Sequence, residues 1–154
     1  MATEGESLPT GLSVNVAPST LTAAKQLQVD IHRINLKLTD PRKQRFTDVS
    51  KVIEKYVPIG STVDDAEALM LAMGCKPPLR LGVNESPPHG YRRPPCTSIV
   101  TVNPDKSQSI EALVELPGRF LQGHFLSIHA QTPEADRRIV SVTASIDIRT
   151  LGDL

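Results

Sequence analysis

The chain reads as an α+β domain, with two or three amino-terminal helices packed on one face of a four-stranded antiparallel meander sheet. Apolar residues between positions 19 and 75 recur every three or four positions, whereas those from 98 to 149 recur every second. Short polar or Pro-Gly breaks separate the latter segments. Helices that all precede the strands gather on one side of the sheet, leaving its other side wet.

Residues 1–18, rich in Gly, Ser, Thr and Pro around Leu8, Leu12, Val14 and Val16, keep no period and are expected to be a mobile segment. Residues 19–154 make the single domain. Leu21, Ala24, Leu27, Ile31, Ile34 and Leu38 fall on one stripe of a helix over residues 20–37, although Leu27, Val29 and Ile31 also alternate as a strand would. Asp40-Pro41 ends it, because the residue before a proline is pushed out of the helical region. Val49, Val52, Ile53 and Tyr56 mark a second helix, capped by Thr47 or Asp48 and stopped at Pro58. The third has both ends written in it. Ser61 or Thr62 caps it, Asp64 and Asp65 favour its positive end, Ala66, Leu69, Met70 and Met73 form its apolar face, and Gly74 closes it. Only residues 57–60 join the last two helices, so they form a compact corner.

Residues 76–96 hold six prolines and are expected to be a long loop. Beyond it, residues 98–103 and 110–116 are strands joined by a polar connection, and residues 124–130 form a third after Pro117-Gly118. In the fourth, residues 138–149, Val140, Val142, Ala144, Ile146 and Ile148 point one way, and Ser141, Thr143, Ser145 and Asp147 the other.

Composition removes several function classes. Lysine plus arginine and aspartate plus glutamate number 17 each, so no global basic field draws the chain to nucleic acid. Aromatic content of 3%, without tryptophan, leaves few stacking platforms for bases or sugars. No apolar run approaches the roughly 20 residues of an integral membrane helix. The first seven residues lack a signal peptide's pattern, so the compartment is cytoplasmic unless an export signal was removed from this sequence, in which case it is the periplasm or cell envelope. Cys75 and Cys96 are either small buried thiols in a reducing compartment or, in an oxidising one, a bridge from the third helix to the first core strand. Closing that loop of about 20 residues would contribute roughly 3 kcal/mol on the chain-entropy model.

No catalytic motif appears, neither a nucleophile elbow nor a zinc helix, phosphate loop or dinucleotide fingerprint. His124 and His129 are five apart in a strand and face opposite sides, so no metal site is assigned, and no cofactor. Asp64, Asp65 and Glu67 are explained by the helix start. The expected function is therefore non-catalytic protein binding by a monomer or weak homodimer. Tyr91, Arg92 and Arg93 in the proline-rich loop supply anchors, and Ser141, Thr143 and Ser145 a polar strip. A small hydrolytic enzyme with its residues scattered along the chain is the alternative from a different class.

Residues 53–75, with Ile59-Gly60 before the Ser61-Thr62 cap, the acidic first turn and the closing Gly74, resemble a pattern of small bacterial envelope proteins. The layout of two helices and then an antiparallel sheet is similar to the small lipoprotein subunit of the outer-membrane β-barrel assembly machinery and to the repeats of the secreted β-lactamase inhibitor protein. That resemblance implies a protein-binding module of the bacterial cell envelope with Cys75 and Cys96 paired in the periplasm. An immunity or inhibitor protein against a toxin or hydrolase is the neighbouring reading. The chain departs from the pattern in lacking a lipobox cysteine near its start and in having an extra amino-terminal helix and a fourth strand.

Overall fold

The helical period of the amino-terminal half resolves into α1 (Pro18–Asn35), α2 (Ser50–Tyr56) and α3 (Val63–Ala72) in a computed structural model that describes residues 17–133 and 138–150. The amino-terminal segment expected to be mobile lies, up to residue 16, outside the described residues. Helix α1 starts and stops two residues earlier than its periodicity suggests. Pro18, with φ preset, opens it, and tightened bonds from Lys37 N–H to Ile34 and from Leu38 N–H to Asn35 end it before Pro41 is reached. The helical alternative for residues 27–31 is the correct one: Ala24, Leu27 and Ile31 are buried, whereas Val29 is exposed.

Helix α3 is closed at both ends by its own sequence. Thr62 Oγ1 accepts from Asp65 N–H at 3.1 Å and Asp65 Oδ2 accepts from Thr62 N–H at 3.2 Å, a reciprocal capping box. At the other end Gly74 sits at φ 93°, and Cys75 N–H reaches back to Met70.

Among the described residues the sheet has six strands rather than four, and it is mixed rather than wholly antiparallel. In chain order they are β1 (Phe46–Asp48), β2 (Leu79–Gly82), β3 (Cys96–Val102), β4 (Gln108–Arg119), β5 (Gln122–Thr132) and β6 (Ser141–Thr150). In space the order is β1-β6-β5-β4-β3-β2. The four expected strands form the central meander, and each edge carries an added one. At one edge β1 pairs antiparallel with β6 through Thr47 and Asp48, the residues expected to cap α2; the N-cap is instead Val49, without a side-chain cap bond, and Asp48 just before it ends the strand and accepts from Ser50 N–H at 2.8 Å. At the other, β2 lies inside the proline-rich segment and pairs parallel with β3. Prolines flank β2 without entering it, and as an edge strand it needs only one set of partners.

Two further boundaries differ. Strand β4 passes through Pro117-Gly118 with a register shift, because a Cβ on Gly118 would stand 2.4 Å from the Gln122 carbonyl oxygen, an approach that only glycine permits. Residues 138–140 are not strand: Ile139 N–H bonds Ser61 and Gly60 N–H bonds Ile139, tying the α2–α3 corner to the chain before β6. Val140, expected on the apolar row, is consequently 55% exposed.

All three helices lie on one sheet face. There Ala24, Leu27, Ile53, Val63 and Leu69 meet Val100, Ile110, Val114, Leu126, Ile146 and Ile148 in a single cluster. Cys75 and Cys96 are disulfide-bonded, with their Cα atoms 4.6 Å apart, joining the end of α3 to the start of β3.

Candidate functional site

The face of the sheet turned away from the helices is the first candidate. Strand register sets its side chains in rows: Ile99, Glu111, His129 and Thr143; then Thr97, Leu113, Ser127, Ser145 and Asp48; then Glu115, Phe125, Asp147 and Phe46. Leu79 and Leu81 extend the surface onto β2 beside Ile99 and Thr101. Leu79, Leu81, Ile99, Leu113 and Phe125 are half-buried, and Phe46 is 66% exposed. Hydroxyl side chains on this face are densest on β6, with Ser141, Thr143 and Ser145, against Thr97 and Thr101 on β3, Ser109 on β4 and Ser127 on β5.

Thr143 and Ser145, singled out in the sequence, line a shallow depression of about 300 Å³ with Phe46, Asp48, Ser50, Ser127 and His129. Ser141 lies one row further, opposite Gln131. Below the depression, Arg149 lies 5.0 Å from the Phe125 ring centroid and pairs through Nε with Asp147 Oδ2 at 2.9 Å. The other oxygen, Asp147 Oδ1, is buried without a hydrogen-bond partner among the described residues.

Tyr91, Arg92 and Arg93 are held elsewhere. They sit in the connection from β2 to β3, in a turn where Tyr91 N–H bonds Pro88 and Gly90 adopts φ 82°. Strands β4 and β5 separate β3 from β6, about 14 Å at the usual inter-strand spacing. The loop and the strip are thus two patches, not one. Tyr91 is half-buried and both arginines are exposed.

Sequence reasoning missed a cleft under α1. Gln28, Ile31, His32 and Asn35 of α1, Met73, Cys96, Val114, Leu116 and Leu126 enclose about 350 Å³ that is mainly apolar. Next to it, in a smaller cavity of about 110 Å³ that shares His32, Asn35 and Pro117, His124 at the start of the third expected strand is only 2% exposed. Its Nδ1 lies 2.6 Å from Asn35 Oδ1, while Asn35 Nδ2 donates to the Pro117 carbonyl at 2.9 Å. That chain fixes the tautomer, since the Asn35 oxygen must accept and Nδ1 must carry the proton. Nε2 lies 3.2 Å from Gln122 Oε1, so a neutral imidazole would take a donor there only with that amide rotated to present its NH2 group. Burial, and secondarily the Arg119 guanidinium, push the imidazole below the ordinary histidine range. His124 is therefore a neutral tie between α1 and the sheet. Among the described residues the cleft lining carries no hydroxyl, its one cysteine, Cys96, is in the disulfide, and its titratable side chains are His32 and Glu115.

His129 faces the opposite side, its Nε2 3.8 Å from Glu111, so the two histidines do not converge. No cluster of three metal-binding side chains occurs among the described residues. Asp65 is used in the cap, and Glu67 holds Arg80 of β2 through both oxygens at 2.6 and 2.7 Å. No helix among the described residues is long and apolar enough to cross a membrane.

The fold and its surfaces define a two-layer α+β domain with one covered and one uncovered sheet face. Neither protein-family models, nor curated proteins, nor solved structures give a match to the chain. The likeness to envelope modules rests on the motif at residues 59–74 and on layout.

Proposed function

We propose that this domain is a non-catalytic protein-binding module of the bacterial cell envelope, and that its partner docks on the uncovered sheet face. One observation carries the reading. Half-buried Leu113 lies beside Ser127 at the rim of a hydroxyl-lined depression, and Ile99, Leu79 and Leu81 carry the apolar surface on to the far edge of the same face. The Cys75–Cys96 bond suits an oxidising compartment such as the periplasm. Tyr91, Arg92 and Arg93 form a second, peripheral contact.

An immunity or inhibitor protein would use the same face and differ only in its partner, a toxin or hydrolase whose activity binding would abolish. The test is cross-linking in the envelope of the native host, followed by measurement of affinity for the captured partner. Thr143→Arg and Leu113→Arg should each weaken binding at least tenfold, and the double change Tyr91→Ala with Arg92→Ala by less. Unchanged affinity in the first two variants would overturn the docking face.

A further inference from the structure

One pole of the molecule gathers exposed apolar side chains and cations. Residues 36–45 fold back below α1, with Gln44 Oε1 accepting from the N–H groups of Thr39 and Asp40. The β4–β5 hairpin ends beside them, since Arg119 donates to the Leu36 carbonyl at 2.8 Å. Strand β6 also ends here, with Arg149 opposite Gly123 and Ile148 N–H bonding Arg45.

The hairpin turn is Phe120-Leu121. Phe120 is 89% exposed, Leu121 52% and the neighbouring Leu36 56%. Leu121 moreover sits at φ 60°, the left-handed region that turns ordinarily give to Gly or Asn. Two penalties, hydration and backbone, oppose these residues, and the fold needs neither side chain for its core.

Around this tip Arg33, Lys37, Arg42, Lys43 and Arg119 are exposed, with Arg45 and Arg149 beside them. Against these seven cations stand Asp40, Asp147, Glu115 in the same row as Asp147, and Asp30 within Coulombic reach of Arg33, and Asp147 is already paired with Arg149. In a chain of formal net charge zero this is a segregation of charge. An apolar tip ringed by lysine and arginine matches the boundary between anionic headgroups and acyl chains. Phosphates of a nucleic acid would answer the cations but leave Phe120 and Leu121 without a partner.

We infer that this pole docks on an anionic lipid surface, with Phe120 and Leu121 entering the headgroup boundary and the surrounding cations pairing with lipid phosphates. The inference is independent of the sheet-face reading.

Because the chain has no tryptophan, Phe120→Trp creates a single fluorescent reporter. Its emission should shift to the blue with vesicles of phosphatidylcholine and phosphatidylglycerol but not with phosphatidylcholine alone, and the shift should vanish at about 0.5 M salt, where charges are screened within a few ångströms. Val140→Trp, 55% exposed at the other end of the sheet, should not respond. Arg42→Glu with Lys43→Glu should weaken vesicle binding by at least about fivefold per cation removed. Phe120→Ser with Leu121→Gly relieves the strained turn, so it should fold at least as well and lose sedimentation with the anionic vesicles. Binding that leaves the reporter in water, binding undiminished by that double variant, or binding to an RNA duplex but not to vesicles would each overturn the inference.

Discussion

The two faces of this sheet are made from the same strands, yet they obey different rules. On β6, Val142, Ala144, Ile146 and Ile148 point into the helices and are at most 8% exposed. The alternate residues Thr143, Ser145 and Asp147 face outward, where one meets water and another is a buried carboxylate with an unpaired oxygen. The covered face is filled by packing against the helices. The uncovered one keeps half-buried leucines that such packing does not require, and each face holds one buried acceptor without a partner among the described residues, Gln108 Oε1 in line with Ile110 and Ala112 on the first and Asp147 Oδ1 on the second.

Substitutions can sharpen this contrast. The largest loss is expected from Leu126→Ala, at the centre of the covered face and 0% exposed, at roughly 2–5 kcal/mol or ~10 °C in Tm by thermal unfolding. Reducing the Cys75–Cys96 bond should cost about 3 kcal/mol in urea unfolding, since it closes a loop of 21 residues' separation. Thr62→Ala, which removes one half of the capping box, should cost about 1 kcal/mol. On the uncovered face Thr143→Arg should change stability by less than ~0.5 kcal/mol while abolishing partner binding. A large fall in Tm for that variant would break the comparison.

Protonation offers a further test. The His124 pKa is lowered in the fold and is about 6.5 when unfolded, so between those values the unfolded chain binds more protons. Stability should be full above about pH 6.5 and fall as the solution is acidified through it, a slope that His124→Gln should flatten. Tyr56 behaves in the opposite sense. Its bond to Asp30 pushes the phenol up to about 12, so its contribution is full below about pH 10 and lost as pH rises through the folded value. The same bond holds Asp30 below the carboxylate range, so that contribution is lost on acidification through its folded pKa.

What was legible in the sequence is what is encoded locally. The Thr62–Asp65 box, the closing Gly74, the stripe of α1 and the alternation of β6 depend on residues a few positions apart. The misses in topology and in the site need distant partners, whereas the shifted ends of α1 and the run of β4 through Pro117-Gly118 are set by neighbours within a few residues. Strand β1 is three residues long and exists because β6 lies beside it. Strand β2 is recruited from a proline-rich segment by β3, by the Glu67–Arg80 pair and by the nearby disulfide. His124 and Asn35 are 89 positions apart, so neither the cleft nor its polar end has a local signature. The outward strip was readable from period two, but its distance from Tyr91 depended on strand order, which periodicity does not contain.

The pairing of β1 with β6 also sets a sequence of events. As the chain leaves the ribosome amino end first, Phe46–Asp48 emerges about a hundred residues before its neighbour and has nothing to pair with. Strands β3 to β6 can zip as successive antiparallel neighbours, each joined to the next by a short or moderate connection. Only the last of them completes a template for β1, and with it the seat of α2. Until then β6 is an open edge, the moment in the life of this chain most exposed to pairing with a second copy of itself.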